Sequence, residues 1–96
     1  MLSKSEVLQK LSEHKVELQT KYPLKSIALF GSYARGEQSE ESDIDVLVEF
    51  SEPVGMEFID LLLELEEIFN RKVDLVSKRA IKSHYLPYIE DDLIYV

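Results

Sequence analysis

Apolar residues recur at helical spacing near the start of the chain and again in its middle. In the first stretch, leucines repeat on one face after Ser3 and Glu6, which have the spacing of a capping box. This pattern predicts a helix over residues 4–20, and Pro23 prevents that helix from continuing. A second helix is predicted over residues 56–70, where a broad apolar face lies opposite an acidic one.

Two residues of this second helix extend its apolar surface beyond a single stripe. Ile59 and Leu63 lie between acidic positions rather than on the main apolar face. The favoured interpretation is a well-buried core helix. The alternative is that part of this surface contacts a partner.

Short apolar runs predict three main strands, over residues 26–30, 43–50 and 72–77. In the second run, apolar residues at even positions alternate with Asp43, Asp45 and Glu49, so that the two sets point to opposite faces. Between the first two strands, a turn with one helical turn in it leads into a polar loop.

Near the end of the chain, a short helix is predicted over residues 84–91 and an edge strand over residues 93–96. The predicted order of the main elements is α-β-α-β-α-β-α. We therefore expect one α/β (α+β) domain spanning residues 1–96, with a small mixed sheet of three main strands and flanking helices.

Composition narrows the partners this domain can have. The chain has no cysteine, which excludes disulfides and cysteine-ligated metals, and it has no apolar segment or signal-peptide pattern that predicts membrane insertion or export. We therefore expect it in the cytoplasm. Its net charge of −8 disfavours direct binding to nucleic acid and suits a basic protein partner, although acidic domains are also common for solubility alone.

The candidate chemistry lies in Gly31-Ser32, followed by ten residues and then Asp43-Ile44-Asp45. A glycine at the end of a strand lets a phosphate approach the backbone, and the start of a helical turn favours an anion. Ser32 adds a hydroxyl donor. The two aspartates, at positions i and i+2 of one strand, point to the same side.

Two ionised carboxylates that lie so close repel each other unless a proton or a cation stands between them. Residues 37–52 contain seven acids and no lysine or arginine, so Mg²⁺ is the natural partner. Asp74 on the third strand is a third carboxylate that can reach the same position. Three such carboxylates are what a two-metal phosphoryl-transfer site needs.

These residues resemble the signature of the DNA polymerase β-type nucleotidyltransferases. The run from Gly31 to Gly36, the pair Asp43 and Asp45, and Asp74 within Val-Asp-Leu-Val are similar above all to the minimal nucleotidyltransferase family. The resemblance covers nearly the whole chain. It implies that Gly31 and Ser32 bind nucleotide phosphates and that Asp43, Asp45 and Asp74 are catalytic and hold two Mg²⁺ ions.

The resemblance also implies a partner. Minimal nucleotidyltransferases are commonly antitoxins that transfer AMP from ATP to a tyrosine of a HEPN-domain ribonuclease toxin. Such a chain acts either as a homodimer or as a hetero-oligomer with the toxin. Two alternatives stay open: an antitoxin that neutralises by binding alone, and a small-molecule nucleotidyltransferase that needs a partner subunit.

The remaining candidate residues have weaker signals. Arg35 is interpreted as a nucleotide-binding residue that can reach the triphosphate, against the alternative that it neutralises the acidic loop. Tyr33 is expected to pack beneath the turn, and Glu49 to be exposed or to face a partner. His14 is expected at the surface, and His84 is a weak candidate for a general base. The tyrosines near the C-terminus are expected in the core: Tyr85, Tyr88 and Tyr95.

Overall fold

The structure is a computed structural model, and it describes residues 2–81 and 83–96. Helix α1 spans Lys4–Lys21 and begins at a complete capping box. The Ser3 hydroxyl accepts a hydrogen bond from the Glu6 amide at 3.1 Å, and the Ser3 amide donates to the Glu6 carboxylate at 3.1 Å. The chain turns to extended backbone at Tyr22, before Pro23, which confirms the first predicted helix.

Four strands form one mixed sheet in the order β3-β2-β1-β4. Strands β2 and β3 run parallel, while β1 is antiparallel to both of its neighbours. The predicted mixed sheet and the predicted edge strand at the C-terminus are therefore confirmed. The strands are β1 (Leu24–Phe30), β2 (Ile44–Phe50), β3 (Val73–Ser77) and β4 (Ile94–Tyr95).

Three further helices connect these strands, and a short 3₁₀ turn at Lys78–Ala80 follows β3. The single predicted helical turn after β1 is present, and the other two helices differ from the predicted bounds by one or two residues at each end. Within the described residues, no helix is both long and apolar enough to cross a membrane. The helices are α2 (Gly31–Arg35), α3 (Glu57–Phe69) and α4 (Leu86–Glu90).

The core lies between one face of the sheet and the inner sides of α1 and α3. Alternation along β2 buries Ile44, Val46 and Val48 completely on this face. Burial of each such side chain stabilises the fold by about 1.5–3 kcal/mol. The intervening residues of β2, among them Asp45, therefore point to the opposite face. The helices contribute these buried residues: Val7, Leu11, Leu18, Leu61, Leu65 and Phe69.

Two expectations about burial are wrong. The C-terminal tyrosines are exposed rather than buried, with Tyr88 80% accessible, because helix α4, which begins directly after Tyr85 and contains Tyr88, is only five residues long and buries no side chain. Helix α3 is also not buried all round, because only its inner side contacts the sheet. Ile59 and Leu63 lie on its outer side and are exposed.

Candidate active site

The parallel pairing of β2 and β3 places two of the predicted metal-binding aspartates side by side. Asp45 is directly opposite Asp74 in the register, and neighbouring strands lie about 4.8 Å apart. Asp43 lies just before β2, close enough for its negative charge to raise the pKa of Asp45. The structure therefore brings the three predicted carboxylates to one region, at the amino ends of two parallel strands.

Gly31 lies against the side chain of Asp45. Phe30 pairs with Asp45 across β1 and β2, and Gly31 follows with a positive φ of 74°. A Cβ atom on Gly31 would overlap the Asp45 carboxylate oxygen and lie 2.9 Å from its carboxyl carbon. The space that we expected the glycine to leave for a phosphate is instead occupied by the Asp45 side chain.

The run that follows Gly31 folds as the single turn of α2. The turn is closed by Gly36, whose left-handed backbone lets its amide donate to the carbonyl oxygen of Tyr33 at 3.2 Å. Ser32 is half-buried at the start of this turn, next to the glycine that contacts Asp45. The Gly-Ser pair therefore lies beside Asp45.

The electrostatic state of Asp45 is unusual for a carboxyl group. Burial raises the pKa of Asp45 to about 6, and the negative charges of Asp74 and Asp43 add to this effect, while Arg35 acts in the opposite direction. In the part of the chain that the structure describes, no lysine, arginine or histidine forms an ion pair with any of the three aspartates. The site therefore carries negative charge that the protein does not balance.

This donor set fits Mg²⁺ bound together with a nucleotide. Across residues 2–81 and 83–96, no group of three acidic, histidine or cysteine side chains is placed so that it could hold a metal ion by itself. Mg²⁺ does not need such a group, because it is commonly held by one or two carboxylates, with substrate phosphates and water completing its coordination. The adjacent pair Asp45 and Asp74, with Asp43 nearby, supplies carboxylates of that kind.

Arg35 does not contact the aspartates in this structure. Its Nε donates to a carboxylate oxygen of Glu37 at 2.9 Å, and its Nη1 donates to a carboxylate oxygen of Asp92 at 2.7 Å. Both contacts are exposed, and exposed ion pairs stabilise a fold by about 0–1 kcal/mol. Arg35 can therefore exchange them for a phosphate at little cost, and its role in nucleotide binding stays a prediction. Asp92 was missed by sequence reasoning, since only its place in an acidic run distinguishes it.

The other residues considered from sequence are explained by local contacts. Tyr33 belongs to the turn of α2, and its side chain is fully buried, as expected. The two carboxylate oxygens of Glu49 lie 3.7 Å from the Nζ atoms of Lys25 and Lys78, one each. The Nδ1 atom of His14 lies 3.7 Å from a carboxylate oxygen of Glu17. The side chain of His84 stacks against the neighbouring tyrosine ring.

A cavity of about 810 Å³ lies at the other end of the same strands. Its walls come from the carboxyl ends of β2 and β3, the loop at residues 51–54 and the 3₁₀ turn. Asp45 and Asp74 lie at the amino ends of these strands and do not line it. This cavity is therefore distinct from the aspartate site.

Comparison with known proteins agrees with this geometry. The family model described as nucleotidyltransferase domain matches residues 11–96. A chain of Methanocaldococcus jannaschii that bears the name of a protein adenylyltransferase is 53% identical over 100 residues and is covered completely, as is the present chain. The protein adenylyltransferase MntA of Thermococcus cleftensis is 40% identical over 97 residues, covering 100% of this chain and 98% of MntA. The chain therefore belongs to the nucleotidyltransferase domain family and is a nucleotidyltransferase.

Solved structures show the same fold. A minimal nucleotidyltransferase superposes with a TM-score of 0.82 at 31% identity, covering 97% of this chain and 95% of the other. A toxin–antitoxin structure with AMP-PNP matches with a TM-score of 0.66 at 26% identity, covering 83% of this chain and 76% of the other. An MNT antitoxin in complex with a tri-AMPylated HEPN toxin of Shewanella oneidensis, 22% identical, shares the fold with a TM-score of 0.69 over 93% of this chain and 70% of the other.

Proposed function

We propose that this chain is a Mg²⁺-dependent antitoxin that transfers AMP from ATP to a tyrosine of a HEPN ribonuclease toxin. The observation that carries the proposal is the register pair Asp45 and Asp74, whose negative charge no cation of the described chain balances. The names of the relatives support protein adenylylation. The toxin–antitoxin structure with AMP-PNP supports both the nucleotide and the kind of partner.

The reaction forms one bond and breaks one. The tyrosine oxygen of the toxin attacks the α-phosphorus of ATP, the bond from that phosphorus to the β-phosphate bridging oxygen breaks, and pyrophosphate leaves. When bound, Mg²⁺ supplies positive charge that favours both the attacking oxygen and the departing pyrophosphate. The three aspartates would hold this ion together with phosphates of the nucleotide.

The residues of the chain have separate roles in this scheme. Asp43, Asp45 and Asp74 would hold the metal, and Ser32 would donate a hydrogen bond to a phosphate oxygen. Asp74 is exposed on the edge strand β3, so an incoming hydroxyl can approach it and give up its proton there. Gly31 acts indirectly, because its missing side chain lets the Asp45 carboxylate occupy its place.

A protein acceptor suits the surface of this domain. Asp74 lies on an edge strand that a macromolecule can reach. The net charge of −8 attracts a partner that carries lysine and arginine, as a ribonuclease that binds RNA must. Both features favour the toxin over a small molecule as the acceptor.

Intact-mass spectrometry of the cognate toxin, after incubation with this chain, ATP and Mg²⁺, tests the proposal. We expect the toxin to gain one or more AMP groups, to gain none in EDTA, and to carry them on tyrosine in peptide mapping. The double variant Asp43→Asn with Asp45→Asn should abolish the gain, because each asparagine keeps the shape of the aspartate but lacks the charged carboxylate that binds the metal. Glu49→Gln is the matched control, because it neutralises a carboxylate farther along the same face of β2.

Two results would contradict the proposal in different ways. Transfer by the double variant would show that the aspartates are not the site. Neutralisation of the toxin by the wild-type chain without any gain in mass would favour an antitoxin that acts by binding alone.

A further inference from the structure

The outer side of α3 carries a line of exposed apolar side chains. Met56, Ile59 and Leu63 are 70%, 42% and 57% accessible. Their spacing of three and then four residues places them on one side of the helix. We call these three residues the α3 stripe. A contiguous apolar line with a polar border is typical of a protein-contact surface.

Acidic residues border the α3 stripe. A groove of about 660 Å³ lies between α1 and α3, and Leu63 lines it together with Asp60 and Glu67. Lys21 crosses this groove and pairs with Glu17 at 3.2 Å and with Glu64 at 3.0 Å. Among the residues the structure describes, Asp60 and Glu67 take part in no ion pair. The border therefore presents negative charge that a partner can balance.

The α3 stripe faces away from the aspartate site. The inner residues of α3, Leu61 and Leu65, pack against the same face of the sheet as Val46. Asp45, the next residue along β2, points to the other face. A partner bound at the stripe therefore leaves the site open to an acceptor.

The charges at the border decide between the candidate occupants. A second copy docked stripe to stripe would bring its own acidic border near Asp60 and Glu67, and each copy carries a net charge of −8. Nucleic acid is disfavoured for the same reason. A protein segment with apolar anchors at helical spacing, flanked by lysine or arginine, matches both the apolar line and its border.

We propose that the α3 stripe docks such a segment of the toxin, at a place separate from the tyrosine that receives AMP. This inference rests on the proposed function for the identity of the partner. Because the stripe and the site face opposite ways, docking and transfer involve different surfaces of the toxin or different toxin copies. The stripe therefore binds the toxin, and the aspartate site transfers AMP to the toxin tyrosine.

The test is calorimetric binding of the unmodified cognate toxin to Ile59→Gln with Leu63→Gln. Both side chains are exposed, so the double variant should keep the wild-type circular dichroism and melting temperature. We expect its Kd for the toxin to rise at least about tenfold, because two apolar contacts are lost. Val16→Gln is the matched control, since Val16 is an exposed apolar residue of α1 outside the stripe, and its Kd should stay within about twofold of wild type.

Two further measurements test the chemistry and separate docking from transfer. Asp60→Lys with Glu67→Lys should also weaken binding, and the affinity of the wild-type chain should fall with rising salt. The rate of AMP transfer at saturating toxin should be unchanged in the stripe variant, whereas the toxin concentration needed for half-maximal rate should rise.

Several outcomes would overturn the docking surface while leaving the proposed function intact. The first is a Kd for the toxin that is unchanged in the stripe variant. The second is AMP transfer by a wild-type chain that forms no measurable complex with the toxin. Sedimentation gives a third: a wild-type dimer that the stripe variant converts to monomer would assign the surface to a second copy. Loss of transfer in the variant of Asp43 and Asp45, with binding retained, concerns the active site alone.

Discussion

Asp45→Asn should make the metal-free protein more stable at pH 8 while destroying its activity. In the folded chain burial and neighbouring carboxylates raise the pKa of Asp45 from 3.8 to about 6, so ionisation is easier in the unfolded chain. The stability contributed by the protonated group is therefore fully present below about pH 4 and is lost as the pH rises through about 6. The shift corresponds to about 3 kcal/mol at full burial, and partial solvent screening reduces this to about 1–2 kcal/mol.

Urea unfolding followed by circular dichroism in EDTA measures this effect. At pH 8 the unfolding midpoint of Asp45→Asn should lie about 1 M above that of the wild-type chain, and the difference should shrink as the pH falls to 5. Added Mg²⁺ with ATP should stabilise the wild-type chain and not the variant. Asp91→Asn, which removes an exposed carboxylate of the C-terminal segment, is the control and should show no such pH dependence. A variant that is less stable than wild type at pH 8 would refute the reasoning.

Two further predictions concern the turn that supports Asp45. Gly31→Ala should lower the unfolding free energy by about 2–4 kcal/mol and reduce transfer, because the new methyl group displaces the Asp45 carboxylate and the backbone is left-handed. Gly36→Ala, with a similar φ and open space, should lose only about 1 kcal/mol, and equal losses in the two variants would show that the contact with Asp45 is unimportant. Tyr33→Phe should leave the melting temperature unchanged or higher, because the buried hydroxyl has no hydrogen-bond partner in the described chain. A clear fall in that temperature would instead reveal a partner for the hydroxyl.

Features that depend on neighbouring residues could be predicted from the sequence. The capping box of Ser3 and Glu6 is a contact over three residues, and it gave the start of α1 correctly. The alternation along β2 likewise predicted that Ile44, Val46 and Val48 face the core, whereas Asp43 lies just before the strand and its predicted orientation stays a prediction. Both signals are local, so no knowledge of the tertiary fold was needed.

Features that depend on distant residues could not be predicted in this way. The register of Asp74 against Asp45 depends on how α3 carries the chain back to a parallel strand, and only the family resemblance indicated it. The bond between Arg35 and Asp92 spans 57 residues and leaves no periodic signal. The exposure of the C-terminal tyrosines also depends on the tertiary fold, because the short α4 packs without burying any of its side chains.

The contact between Gly31 and Asp45 limits which substitutions these two positions can tolerate together. The two residues belong to motifs that are read separately along the chain, yet the carboxylate of one occupies the place where the other would have its side chain. A larger residue at position 31 requires either that the Asp45 carboxylate moves or that position 45 becomes smaller, and every smaller residue there lacks a carboxylate. Substitution of the glycine in a descendant of this chain would therefore indicate weakened chemistry even where all three aspartates were still present.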